Sequence, residues 1–223
     1  MIRILRFLIR ILLKLIARFE MRGKENVPLT GGMILASNHM GILDILMVYF
    51  VMDRTDLFIP VAEKFEKIGW IRWLGKHLNF LFVDRFNPDL KALRKMIALM
   101  EEGRCLVIAP EGTRSPAGSL AEGKPGVAYL AARSGFPVVP VGITGTADQV
   151  VLANIKRFRR SDITLTAGKP FIIPPLANKD RDAALQKYTD EIMCQIAVLL
   201  PEKYRGVYTE HSRLTELLAL MRS

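Results

Sequence analysis

In the segment SNHMGILD, Ser37 to Asp44, an imidazole stands five positions before a carboxylate. The chain has three histidines, and His39 directly follows an Asn. A carboxylate holding one ring nitrogen of an imidazole fixes its tautomer. The other nitrogen is then free to take a proton from a hydroxyl, the work of a general base. On one straight helix two residues five apart diverge by about 140°. His39 and Asp44 therefore meet only if His39 lies in a turn before a helix and Asp44 in the helix's first turns. Otherwise His39 is a helix cap and Asp44 a first-turn acid favoured by the dipole. Two further stretches carry polar chemistry. In FVDRFN, Arg85 has the planar fork that grips a phosphate, or it pairs with Asp84 at the surface. In APEGTRSPAG, Glu111, Gly112, Thr113 and Arg114 offer a carboxylate, a glycine that lets backbone N–H groups approach a ligand, a hydroxyl and a guanidinium. The plainer reading of that stretch is a polar turn.

Each stretch follows a short apolar run that reads as a strand: Met33–Ser37, Phe80–Val83 and Cys105–Ala109. Further strands are expected at Leu57–Ala62, at Val138–Ile143 with an interruption at Pro140, and at Ile163–Gly168, whose alternation suits an edge. Helical spacing is present over residues 42–52, 64–78, 126–134, 180–200 and the tail from 204. Residues 88–102 form a well-marked helix, with Asn87 as cap, Pro88 at the first position and Gly103 as stop. Strands alternating with helices predict an α/β fold: a single layered domain with a mixed, largely parallel central sheet flanked by helices. Ligands of such sheets bind where strands end and helices begin, the place of all three motifs.

A chain of 223 residues suits one domain. Its formal net charge of +10 selects anionic partners. The first segment, MIRILRFLIRILLKLIARFE, chooses among them. Arg3, Arg6, Arg10, Lys14 and Arg18 are spaced by 3, 4, 4 and 4, so they share one helical stripe amid Ile, Leu and Phe. The charges oppose a membrane span, and they break the apolar core that a signal peptide needs. A helix lying in the bilayer interface fits, apolar side down and cations among anionic headgroups; an amphipathic helix docked on the protein's own core is the plainer alternative. Nucleic acid is excluded as a partner because the cations are backed by a broad apolar face instead of interleaved aromatics. Cys105 and Cys194 read as buried thiols. A second basic cluster, KRFRR (Lys156 to Arg160), is a solvated loop, an extension of the membrane-facing surface, or a contact for phosphates or an acidic carrier.

NHMGILD, FVDR and PEGTRS in this order, followed by KPG (Lys124 to Gly126) and VVPVGI, resemble the glycerolipid acyltransferase family, the PlsC-like 1-acylglycerol-3-phosphate acyltransferases. The resemblance runs from about Gly32 to Gly142. It implies acyl transfer to the free hydroxyl of 1-acylglycerol 3-phosphate (lysophosphatidic acid), or of another lysophospholipid or a lyso-aminolipid, from acyl-CoA or acyl-carrier protein; the remote alternative is a non-catalytic basic membrane-binding module. It implies His39 as general base supported by Asp44, with Arg85, Glu111, Gly112, Thr113, Arg114, Lys124 and Gly126 binding the substrate and Pro140 shaping an apolar wall near the donor. No cofactor and no metal is expected, since the donor thioester is already activated. Residues 1–22 are then an interfacial membrane-anchoring helix and residues 23–223 the acyltransferase domain, on the cytoplasmic face of the membrane. Two features depart from the family pattern. Met40, Gly41 and Ile42 stand where many members carry a hydroxyl residue and an aromatic. The chain also begins with one basic amphipathic segment where many have longer hydrophobic ones. There is no G-x-S-x-G elbow for a serine acyl-enzyme, so direct attack by the lipid hydroxyl is the simplest mechanism.

Overall fold

The computed structural model of the chain describes residues 9, 11–41, 43, 44, 47, 54–84, 90–115, 118–177 and 180–221. Short apolar runs form seven strands: β1 (Ala17–Arg22), β2 (Met33–Ser37), β3 (Leu57–Ala62), β4 (Phe80–Val83), β5 (Cys105–Ile108), β6 (Val138–Thr144) and β7 (Ser161–Ala167). They make one sheet in the order β1-β7-β6-β2-β5-β3-β4. All neighbours are parallel except β6 and β7. The helices are α1 (Gly69–Leu78), α2 (Leu90–Glu101), α3 (Gly126–Ser134), α4 (Asp148–Lys156), α5 (Arg181–Ala197) and α6 (Ser212–Leu220). Residues 11–16 and positions 9, 43, 44 and 47 are also helical.

β2 shows why its run is continuously apolar. Met33 and Leu35 belong to one buried cluster, and Ile34 and Ala36 to another across the sheet. A parallel strand covered on both faces has no polar side to show. Leu74 of α1 and Leu13 of the first segment cover the Met33 face. α2, α3, α5 and α6 cover the Ile34 face, through Leu93, Leu130, Ile196 and Leu214 among others.

The sheet corrects several expectations. The first helix does not reach Glu20: residues 17–22 are β1, parallel to β7 from Ala17↔Ser161 to Arg22↔Thr166. The β7 strand is consequently not an edge, since β1 covers its outer side. Pro140 does not interrupt its strand. β6 runs through it in register with β2, Ala36 facing Pro140. On its other side the pairing slips by one residue between Val138↔Phe171 and Val141↔Ala167, at the point where Pro140 has no N–H to give. The helix expected over 64–78 is a 3₁₀ turn at Glu63–Phe65 followed by α1. The tail forms 3₁₀ turns at Glu202–Tyr204 and Gly206–Tyr208 before α6. α4 carries no expectation from the sequence.

Candidate active site

The C-terminal ends of β2 and β5 open together at the point where the chain, having left β2 for β3 and β4, returns to β5 and then crosses to β6 on the other side of β2. β2 is prolonged by a side chain: Asn38 Nδ2–H donates to Ile143 O at 2.8 Å, and Ile143 N–H donates to Asn38 Oδ1 at 2.7 Å. The buried amide thus acts as one more rung between β2 and β6 and sets the direction in which His39 leaves the strand.

Within one turn of chain the backbone folds back on a carboxylate. Asp44 Oδ2 accepts Met40 N–H at 2.6 Å, Gly41 N–H at 2.9 Å and the His39 ring nitrogen Nδ1 at 2.9 Å. His39 precedes the helical positions 43 and 44, so the spacing of five closes across the turn, as the sequence requires for contact. Asp44 is buried and His39 partly so, at 17% side-chain exposure. With Nδ1 donating to the carboxylate, Nε2 is the ring nitrogen left to accept a proton. The turn needs Gly41: a Cβ there would lie 2.1 Å from Thr146 O and 2.8 Å from Asp148 Oδ1. This accounts physically for a glycine between His39 and Asp44.

The EGTR stretch lies against this turn, and its four residues part company. Glu111 is buried at 3% exposure. Its Oε1 accepts His39 N–H at 2.9 Å and its Oε2 accepts Ala121 N–H at 2.9 Å, while Ser115 N–H donates to His39 O at 2.9 Å. Both carboxylate oxygens thus serve the protein's own backbone. Burial pushes the Glu111 carboxyl above its ordinary value, against the two backbone N–H groups that favour its charged form. Gly112 has φ 70°, and a Cβ there would meet Lys124 Cδ at 3.0 Å, so the lysine stem lies across the glycine. Lys124 N–H donates to Pro110 O at 2.8 Å and joins the start of α3 to the same loop. Thr113 is exposed and its Oγ1–H donates to Arg114 O at 2.9 Å. Arg114 pairs with Asp148 at the start of α4, Nη1 to Oδ2 2.6 Å. Arg85 lies outside the described residues.

A cavity of about 560 Å³ begins at this turn. His39, Asp44, Gly112, Lys124 and Gly126 line its polar end, and Leu93, Met96, Ile108, Val127, Leu130 and Leu185 are among the apolar walls. The cavity runs between the sheet and the α2–α3 layer. Pro140 is not among its lining residues; it packs under Gly168. The sequence does not disclose this apolar cavity. Leu93, Met96 and Leu130 look like any core-facing positions of amphipathic helices, and they belong to the core cluster on that face as well as to the cavity wall.

The sequence profile of the family described as Acyltransferase matches residues 18–144. That is more than half of the chain, and it runs from within β1 to the end of β6 and takes in the whole turn. The chain belongs to the acyltransferase family. Among its relatives, a protein named 1-acyl-sn-glycerol-3-phosphate acyltransferase from Chlamydomonas reinhardtii is 30% identical over 198 residues, 84% of this chain and 54% of that one. One of the same name from Bacillus subtilis is 25% identical over 183 residues, 79% of this chain and 87% of that one. A chloroplastic one from Brassica napus is 29% identical over 161 residues, 68% of this chain and 44% of that one. The chain thus spans about half the length of its algal and plant relatives. The crystal structure of the 1-acyl-sn-glycerophosphate acyltransferase PlsC from Thermotoga maritima superposes with a TM-score of 0.65 at 26% identity, covering 86% of this chain and 76% of that one.

Proposed function

We propose that the chain transfers an acyl group from a thioester, acyl-CoA or acyl-carrier protein, to the free hydroxyl of 1-acylglycerol 3-phosphate, giving phosphatidic acid. The observation that carries this reading is the 2.9 Å contact of His39 Nδ1 with Asp44 Oδ2 in the wall of a largely apolar cavity. His39 Nε2 takes the proton of the lipid hydroxyl as its oxygen attacks the thioester carbonyl. The tetrahedral intermediate collapses with cleavage of the C–S bond. The thiolate leaves with the proton held on Nε2 and departs as a free thiol, so the base is regenerated. Asp44 keeps Nδ1 protonated throughout and stabilises the imidazolium that forms. The names of the relatives and the apolar cavity support an acyl chain as one substrate part. Lys124 beside the N-terminus of α3, where Gly126 leaves space, supports an anionic group as another.

The reading places the enzyme at a bilayer, where its acceptor resides. Among the described residues no helix is long and apolar enough to cross a membrane, and a peripheral mode through the basic first segment on the cytoplasmic face is the form proposed here. Free-thiol release from acyl-CoA, measured with and without lysophosphatidic acid and against a panel of other lysolipids, tests the reaction and its acceptor. His39→Ala is expected to lower turnover by at least about 10²-fold with an unchanged unfolding midpoint. Wild-type turnover in that variant removes His39 as the base.

A further inference from the structure

α4 is a poorly buried helix. Val151 is its buried residue, while Val150, Leu152 and Ile155 are exposed, Leu152 to 58%. The helix closes through Phe158, in the left-handed region at φ 54°. Phe158 N–H donates to Ile155 O at 3.0 Å and Arg159 N–H to Asn154 O at 2.9 Å. This is a Schellman closure, whose left-handed position usually falls to glycine. A bulky residue there opposes the backbone's preference. The Phe158 side chain is fully exposed, so no packing inside the chain offsets that strain. Lys156, Arg157, Arg159 and Arg160 around it are exposed, and residues 149–160 contain no acid. Apolar side chains left in water among a run of cations match an anionic bilayer surface: the former enter the acyl boundary and the latter sit among headgroups.

The position of α4 gives this surface a use. At its start Asp148 holds Arg114 of the EGTR loop. At its end Arg160 Nε–H donates to Leu15 O at 3.3 Å, and Ala17 faces Ser161 in the sheet. The loop therefore adjoins segment 11–16, where Ile11, Leu12 and Leu15 are also exposed, Leu15 to 61%. We infer that α4 and residues 156–160 form, together with segment 11–16, one surface that docks on an anionic bilayer, with Phe158 as its inserted tip. The inference rests on the acyltransferase reading only in its consequence: a docked α4 holds the active-site loop at a set height above the lipid that supplies the acceptor.

The full chain is co-sedimented with phosphatidylcholine vesicles and with vesicles containing phosphatidylglycerol. Thiol release is followed in parallel on a short-chain, water-soluble lysophosphatidic acid. Phe158→Gly is the informative variant, because glycine suits the left-handed position. Its unfolding midpoint is expected to hold or to rise by roughly 2–4 °C, while its affinity for anionic vesicles falls about tenfold. Replacing Lys156, Arg157, Arg159 and Arg160 by Gln is expected to lose on the order of 1000-fold on anionic vesicles, and turnover on the soluble acceptor stays at the wild-type level in both variants. Vesicle binding unchanged in both overturns the inference. Equal wild-type binding to neutral and anionic vesicles also overturns it. So does a raised KM for acyl-CoA or acyl-carrier protein with vesicle binding intact, which gives the cluster to the donor. A wild-type chain that binds anionic vesicles through this surface but releases no thiol refutes the acyltransferase reading and leaves the docking surface standing.

Discussion

Glu111 belongs to a stretch that resembles a substrate-binding block, yet its two oxygens are occupied by the backbone N–H groups of His39 and Ala121, each at 2.9 Å. It acts as a positioning residue, and Glu111→Gln tests that. The amide keeps one acceptor oxygen but turns an NH₂ group toward the second backbone N–H, so two buried donors face one another. Leaving a buried donor unsatisfied costs about 1–3 kcal/mol. For a chain of this length the unfolding midpoint falls by about 2–4 °C per kcal/mol, hence by roughly 2–12 °C in all. The His39 peptide is displaced with it, and a misplacement near 1 Å lowers kcat by about 10²-fold. KM for lysophosphatidic acid stays put, because no Glu111 oxygen is left to bind it. The pH dependence has a definite sign. The folded carboxyl lies above its ordinary value of 4.5 because it is buried, so the folded chain holds this proton more tightly than the unfolded chain does. The contribution of Glu111 to stability is therefore full below 4.5 and diminishes as pH rises through the raised value. The gap in midpoint between wild type and Glu111→Gln should accordingly narrow as pH rises from 4.5 toward neutrality. Calorimetric scans across that range, with steady-state kinetics at neutral pH, read all three quantities. A KM that rises while kcat and the midpoint stay unchanged would show that Glu111 meets the substrate after all.

Further tests address the turn and the core. Gly41→Ala pushes a Cβ to within 2.1 Å of Thr146 O, and the forced shift is expected to cost about 1–3 kcal/mol and to open the cradle of N–H groups on Asp44. Thermal unfolding and turnover should both fall, and a fully active, equally stable variant contradicts the close packing of the turn. Burial pushes the thiols of Cys105 and Cys194 up to about 12, so neither should react with a thiol reagent at pH near 8 until the chain is unfolded. Stoichiometric labelling of the folded chain is the opposing result.

What the sequence discloses, and what it hides, follows from the range over which each interaction acts. His39 and Asp44 are joined inside one turn, so their spacing and the strand before them narrow the choice to a contact or a cap, and the turn decides for the contact. The parallel core strands are equally plain, because burial on both faces leaves β2 and β5 without polar interruptions. β1 is hidden by a coincidence of periods: in ARFEMR, Arg18 continues the helical stripe of cations, yet Ala17, Phe19 and Met21 alternate with Arg18, Glu20 and Arg22, and the exposure alternates with them. The period of two was present, but the partner that decided for it, β7, begins 139 residues after Arg22 at Ser161. Glu111 is hidden for a different reason. Its polar partners are backbone N–H groups, which every residue carries and no motif records, so a structural carboxylate and a ligand-binding one look the same in the sequence. Phe158 falls between the two cases. KRFRR declares its charge, but only the left-handed backbone shows that Phe158 stands where glycine suits the chain better. A residue kept against local preference and without contacts inside its own fold points outward, to a surface that the chain meets but does not contain.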